Sequence, residues 1–143
     1  MRRVLFICTH NSGRSQMAEA FLKHLGHGTV EAESAGTTPA ERVNPVVVQA
    51  MKEKGIDISQ NSPKLLTEEM VDRADRVVTM GCSAEKTCPA VFVPSEDWGL
   101  EDPKGKSLED VRRIRDEIEQ RVKRLLAQLC KPETRSRKPR GDK

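Results

Sequence analysis

Apolar residues first gather at Val4-Leu5-Phe6-Ile7, a β-rich run that ends at Cys8, and such a continuous run predicts a strand buried on both faces. After a polar turn, Met17, Ala18, Phe21, Leu22 and Leu25 recur before Gly26 at the spacing of one helical face with a glycine stop. A second extended segment, about 30 to 35, is followed by Asn44-Pro45, an N-cap and first helical position that open a helix running to Gly55. The unit then repeats. Thr67-Glu68-Glu69 opens a short helix, Arg76-Val77-Val78-Thr79-Met80 reads as a strand, and Ala90-Val91-Phe92-Val93 reads as another, closed by Pro94. Behind Ser107 as N-cap, Leu108, Val111, Ile114, Ile118, Val122, Leu125 and Leu129 mark a long amphipathic helix. Glu109 with Arg113, Glu117 with Arg121 and Glu119 with Lys123 lie four apart, which predicts a solvated, ion-paired face. Strands alternating with helices predict an α/β fold: a single-domain, open, parallel four-stranded sheet with helices on both faces. Ligands of such sheets sit beyond the carboxyl ends of the strands.

Composition adds limits. A length of 143 residues suits one domain, expected over residues 1–130. The formal charge is +3, but the last thirteen residues, Lys131 to Lys143, hold six basic and two acidic side chains, so the body before them is slightly acidic. No basic patch for nucleic acid is expected on that body. The tail itself has no apolar residue to bury and is expected to be disordered. No apolar run approaches the roughly 20 residues of a membrane span, and the four apolar residues behind Arg2 and Arg3 are too few for a signal peptide. A cytoplasmic location is therefore expected, without membrane contact. In that compartment the four cysteines, Cys8, Cys82, Cys88 and Cys130, are expected to be reduced, catalytic or metal-binding.

Cys8-Thr9-His10-Asn11-Ser12-Gly13-Arg14-Ser15 stands where the first strand ends and the first helix begins. A loop entering a helix N-terminus points several backbone N–H groups at one spot and adds the positive end of the helix dipole. Residues Thr9 to Ser15 are thus the expected oxyanion cradle, with Gly13 permitting the tight path. Arg14 adds a planar fork for two oxygens of one anion, and the same field favours a thiolate at Cys8. Ser15 can give the sulfur a hydrogen bond. His10 is read as a spacer, contributing its amide only. Asp102-Pro103 is equally readable as a turn or as a proton donor to an oxygen leaving group. Cys82 and Cys88 follow the third strand, on the same carboxyl edge as Cys8. Five residues between them is not a usual zinc spacing and no His is near, so no metal is expected, nor any other cofactor. Cys130 is read as incidental.

The segments VLFICTHNSGRSQMAEAFL, VVTMGCSAEKTCP and DWGLEDPKGKSLEDVRRIRDEI resemble arsenate reductases of the low-molecular-weight tyrosine phosphatase-like family, thioredoxin-coupled type. The resemblance runs from about Arg3 to Leu129. It implies Cys8 as nucleophile, Arg14 as oxyanion ligand and Asp102 as general acid, with Trp98, after Asp97, as a packing anchor. It also implies arsenate as substrate, Cys82 and Cys88 as a disulfide relay, and thioredoxin or another thiol reductant as partner. The alternative is a phosphatase of this fold acting on phosphoprotein or small phosphate esters; a non-catalytic oxyanion or redox sensor is a third reading. The chain has no tyrosine, Lys104 follows Asp-Pro, and Gln16 stands where such phosphatases usually have Pro, all of which favour the reductase. Related reductases often have an acidic residue where this chain has Gln60-Asn61-Ser62-Pro63-Lys64. That residue helps Asn11, Glu19 and Ser34 to shape the loop, in some members through a monovalent cation; without it such a cation is not expected here, and Lys64 can pair with Glu19 directly.

Overall fold

A computed structural model describes residues 2–80, 95–101 and 103–129. The elements follow the order β1 (Arg2–Cys8), α1 (Arg14–Gly26), β2 (Val30–Gly36), α2 (Pro45–Lys52), α3 (Glu68–Asp72), β3 (Arg76–Thr79), β4 (Ser95–Asp97) and α4 (Leu108–Leu129). The four strands are all parallel, in the order β2-β1-β3-β4. β1 is central, and its unbroken apolar run serves two cores. Val4, Phe6 and Cys8 face α1, α2 and α4, while Leu5 and Ile7 meet Met70 and Val71 of α3 together with Val77. This is the doubly covered sheet that the run of Val4 to Ile7 predicts.

Local chemistry sets the helix starts. Asn44 Oδ1 accepts from the Val46 N–H ahead of α2, Thr67 Oγ1 from Met70 ahead of α3, and Ser107 Oγ from Asp110 ahead of α4, each satisfying a donor the helix leaves open. α2 stops at Lys52, short of Gly55. The fourth described strand is Ser95–Asp97; the predicted run Ala90–Val93 lies outside the described residues. Among the described residues Ser95–Asp97 pairs with β3 along one side only, at the edge of the sheet, where polar residues are favoured.

The polar side of α4 is only in part a solvated face. Arg121 pairs with Glu117 at 2.8 Å and Lys123 with Glu119 at 3.9 Å, but Arg113 turns to Asp110 rather than Glu109. Arg115 is buried. It donates to Ala50 O at 2.9 Å and to Glu53 at 2.7 Å, and Arg112 grips the same carboxylate at 2.6 to 3.1 Å. These hydrogen bonds, Arg112 first and then Arg115, pull the Glu53 carboxyl from its ordinary 4.5 to about 2. Two arginines thus clamp the end of α2 to α4. Among the described residues no helix is long and apolar enough to cross a membrane.

Candidate active site

β1 delivers Cys8 to the carboxyl edge of the sheet, beside its register partner Gly36 at the end of β2. From there the chain turns into α1, and each carbonyl of the turn is engaged. Thr37 N–H donates to Cys8 O at 3.2 Å, Thr38 to Thr9 O at 2.8 Å, Ala40 to His10 O at 3.0 Å and Asn44 to Ser12 O at 2.9 Å. Met17 N–H takes Gly13 O at 2.9 Å as α1 begins, and the carbonyl of Asn11 accepts from the side chain of Gln16 at 3.2 Å. In a trans peptide the N–H points opposite to the C=O of the same plane. A loop whose carbonyls are drawn to its flank therefore turns its amides the other way, toward the sulfur. One such amide is directly visible: Asn11 N–H donates to Cys8 Sγ at 3.2 Å.

Gly36 permits this arrangement through its lack of a side chain. A Cβ there would lie 2.7 Å from Thr9 O, 2.9 Å from Asn11 N and 3.0 Å from His10 C, all main-chain atoms with little freedom to yield. Asn11 itself has φ 51°, a left-handed conformation that Asn adopts more readily than most side-chain-bearing residues. Its Nδ2 donates to Ser15 Oγ at 2.8 Å, and Ser15 Oγ lies 2.8 Å from Cys8 Sγ. Cys8, Asn11 and Ser15 are buried, so these contacts are made away from bulk water.

Arg14 opens α1 and is 5% exposed. Its Nη1 donates to Met80 O at 2.5 Å, just beyond β3, and to Leu100 O at 2.8 Å, beyond β4. Two carbonyls thereby hold the guanidinium at the edge where Cys8 sits, and the rest of its donor fork suits the oxygens of a tetrahedral anion. Trp98 anchors the segment that follows β4. Its ring meets Phe6 at 5.8 Å, its Nε1 donates to Glu96 at 2.7 Å and its N–H to Thr79 O at 2.8 Å, the packing role expected of it. Farther along, Pro103 lies on Gly13, where a Cβ would come within 2.6 Å of its Cγ. Leu100 and Pro103, on either side of residue 102, therefore both meet the Cys8–Ser15 loop. Lys64 does pair with Glu19, at 3.6 Å, and the same buried carboxylate takes Lys23 at 2.7 Å and Ser34 Oγ at 2.5 Å. Asp102, Cys82, Cys88 and Cys130 lie outside the described residues. Sequence reasoning missed the roles of Gly36, of the Thr37–Asn44 backbone and of Gln16. The available signals were a glycine closing a strand and a glutamine on the buried side of α1.

The pattern of the low molecular weight phosphotyrosine protein phosphatases matches residues 3–135. The chain belongs to this family. Within the family it is similar to a glutaredoxin arsenate reductase of Synechocystis sp., 39% identical over 132 residues that cover 90% of this chain and 99% of that protein. Among solved structures, an arsenate reductase in the phosphate binding state is 39% identical with a TM-score of 0.78, over 90% of this chain and 98% of the other. A thioredoxin-dependent arsenate reductase of Corynebacterium glutamicum is 38% identical with a TM-score of 0.78, over 92% of this chain and 64% of the other. The family fold and the Cys8–Ser15 loop therefore coincide in one chain.

Proposed function

We propose that the protein is a cytoplasmic arsenate reductase in which Cys8 is the nucleophile and the amides of Thr9 to Ser15, with Arg14, bind the oxyanion. The observation that carries this reading is the loop around a buried Cys8, with its carbonyls engaged at the flank and Asn11 N–H and Ser15 Oγ on the sulfur. Cys8 thiolate attacks arsenic, and an oxygen leaves with a proton from Asp102. Cys82 then attacks the Cys8 sulfur; the S–As electron pair passes to arsenic, which departs as arsenite and leaves a Cys8–Cys82 disulfide. Cys88 attacks Cys82, frees Cys8 and leaves a Cys82–Cys88 disulfide for an external thiol protein to reduce. The thiol-coupled relatives and the absence of tyrosine in this chain support the reductase over a phosphatase.

Two measurements test it. Cys8→Ser should abolish arsenite production with any reductant, because a serine hydroxyl stays protonated where a thiolate attacks; Arg14→Lys should also lose most activity, since an ammonium lacks the planar fork. Retention of more than about a tenth of turnover by Cys8→Ser ends the nucleophile assignment. In Cys88→Ser, one turnover should trap a Cys8–Cys82 disulfide, seen by peptide mapping after alkylation. Free Cys8 and Cys82 in that experiment, alongside normal wild-type turnover, would replace the internal relay with direct attack by an outside thiol. Hydrolysis of an aromatic phosphate ester without arsenate reduction would favour the phosphatase.

A further inference from the structure

Gln16 is fully buried at the start of α1, where a polar side chain with no task would be costly. It has a task at both ends. Its Oε1 accepts from Asn61 Nδ2 at 3.2 Å, which leaves Nε2 as the donating end. Nε2 reaches Asn11 Oδ1 at 3.1 Å, Asn11 O at 3.2 Å and Ser62 O at 3.3 Å, so two protons are shared among three acceptors. Asn11 O is the one carbonyl from Cys8 to Gly13 that no described main-chain N–H reaches.

The direction of the remaining bonds follows from a group that can only donate. The backbone N–H of Lys64 gives its proton to Asn11 Oδ1 at 2.8 Å, so that atom is the oxygen and Nδ2 is the end facing Ser15. Ser15 Oγ accepts from Nδ2, and its own proton is left for Cys8 Sγ, 2.8 Å away. We propose that Gln16 is a positioning residue for the nucleophile. By holding both oxygens of Asn11, it keeps that residue's left-handed backbone and side-chain amide oriented so that Asn11 N–H and the Ser15 hydroxyl both point at the sulfur.

This deepens the reading of Cys8 as nucleophile, and the two fail differently. Gln16→Met keeps the length and removes the donors. The expected result is that alkylation of Cys8 by iodoacetamide, followed on the peptide that carries it, shifts to higher pH by about a unit, and that kcat for arsenate falls roughly tenfold while KM changes little. Asn61→Ala, on the exposed turn, should move the same profile in the same direction by less. A purely space-filling role for Gln16, which Met fills as well, would leave both the alkylation profile and kcat per folded molecule unchanged whatever the melting temperature, and that outcome overturns the proposal. If Gln16→Met does not fold, a wild-type alkylation profile in Asn61→Ala overturns it equally. Full turnover by Cys8→Ser would instead refute the nucleophile, whatever the Gln16 variants do.

Discussion

A single methyl group at position 36 probes the loop most directly. Gly36→Ala places a Cβ within 3 Å of three main-chain atoms of the loop, a clash that side-chain adjustment cannot relieve. Overpacking of this kind costs about 1–3 kcal/mol of stability. Because the atoms displaced are those that aim the amides, phosphate affinity should fall about tenfold or more as well, since several charge-assisted bonds weaken together. Calorimetric titration with phosphate and thermal melts measure the two effects; lost stability with intact affinity would show that the loop tolerates a retreat from β2. At this scale the sequence is informative about Cys8, Arg14 and Ser15, whose positions follow from a strand, a short loop and a helix. It is silent about what holds them. The bonds from Thr37, Thr38, Ala40 and Asn44 join segments some 30 residues apart, and no local pattern encodes them.

Between elements, the Glu53 clamp carries a pH signature. The Glu53 carboxyl falls from 4.5 to about 2 in the folded protein. A carboxyl depressed in this way contributes stability that is fully present above its unfolded value and is lost as pH falls through the folded one. Glu53→Gln should therefore melt a few degrees below wild type at neutral pH, and the gap should close progressively as pH drops from about 4.5 toward 2. A gap that stays constant with pH would assign the effect to packing. Periodicity made α4 legible to the residue, because seven apolar positions share one face. Arg115, four residues after Val111 and three before Ile118, lies on the margin of that face and is buried with it, but its bonds to Ala50 O and Glu53 depend on where α2 packs and no local pattern gives them. The described residues of β4, Ser95–Asp97, are polar and give no apolar run to read.

For the molecule as a whole, the last described element is α4, closing at Leu129, and Lys131 to Lys143 supply six basic side chains but no large apolar one. Deleting Pro132 to Lys143 should leave melting temperature and arsenate turnover unchanged; a drop of several degrees would show that the segment docks on the body. Among the described residues the sheet has two open sides, and both are poor places for another strand to attach. On one side the described residues of β4, Ser95–Asp97, are polar. On the other, Glu31 and Glu33 of β2 are tied to Arg3 and Arg73, and the end of the strand is already occupied: Gly36 N–H gives to Lys64 O and Gly36 O takes Leu66 N–H. A polar border and a charged, partly capped one are among the means by which sheets resist aggregation through strand addition. The contact at Gly36 that lets the loop close around Cys8 therefore sits beside one that blocks the sheet from growing into a fibre.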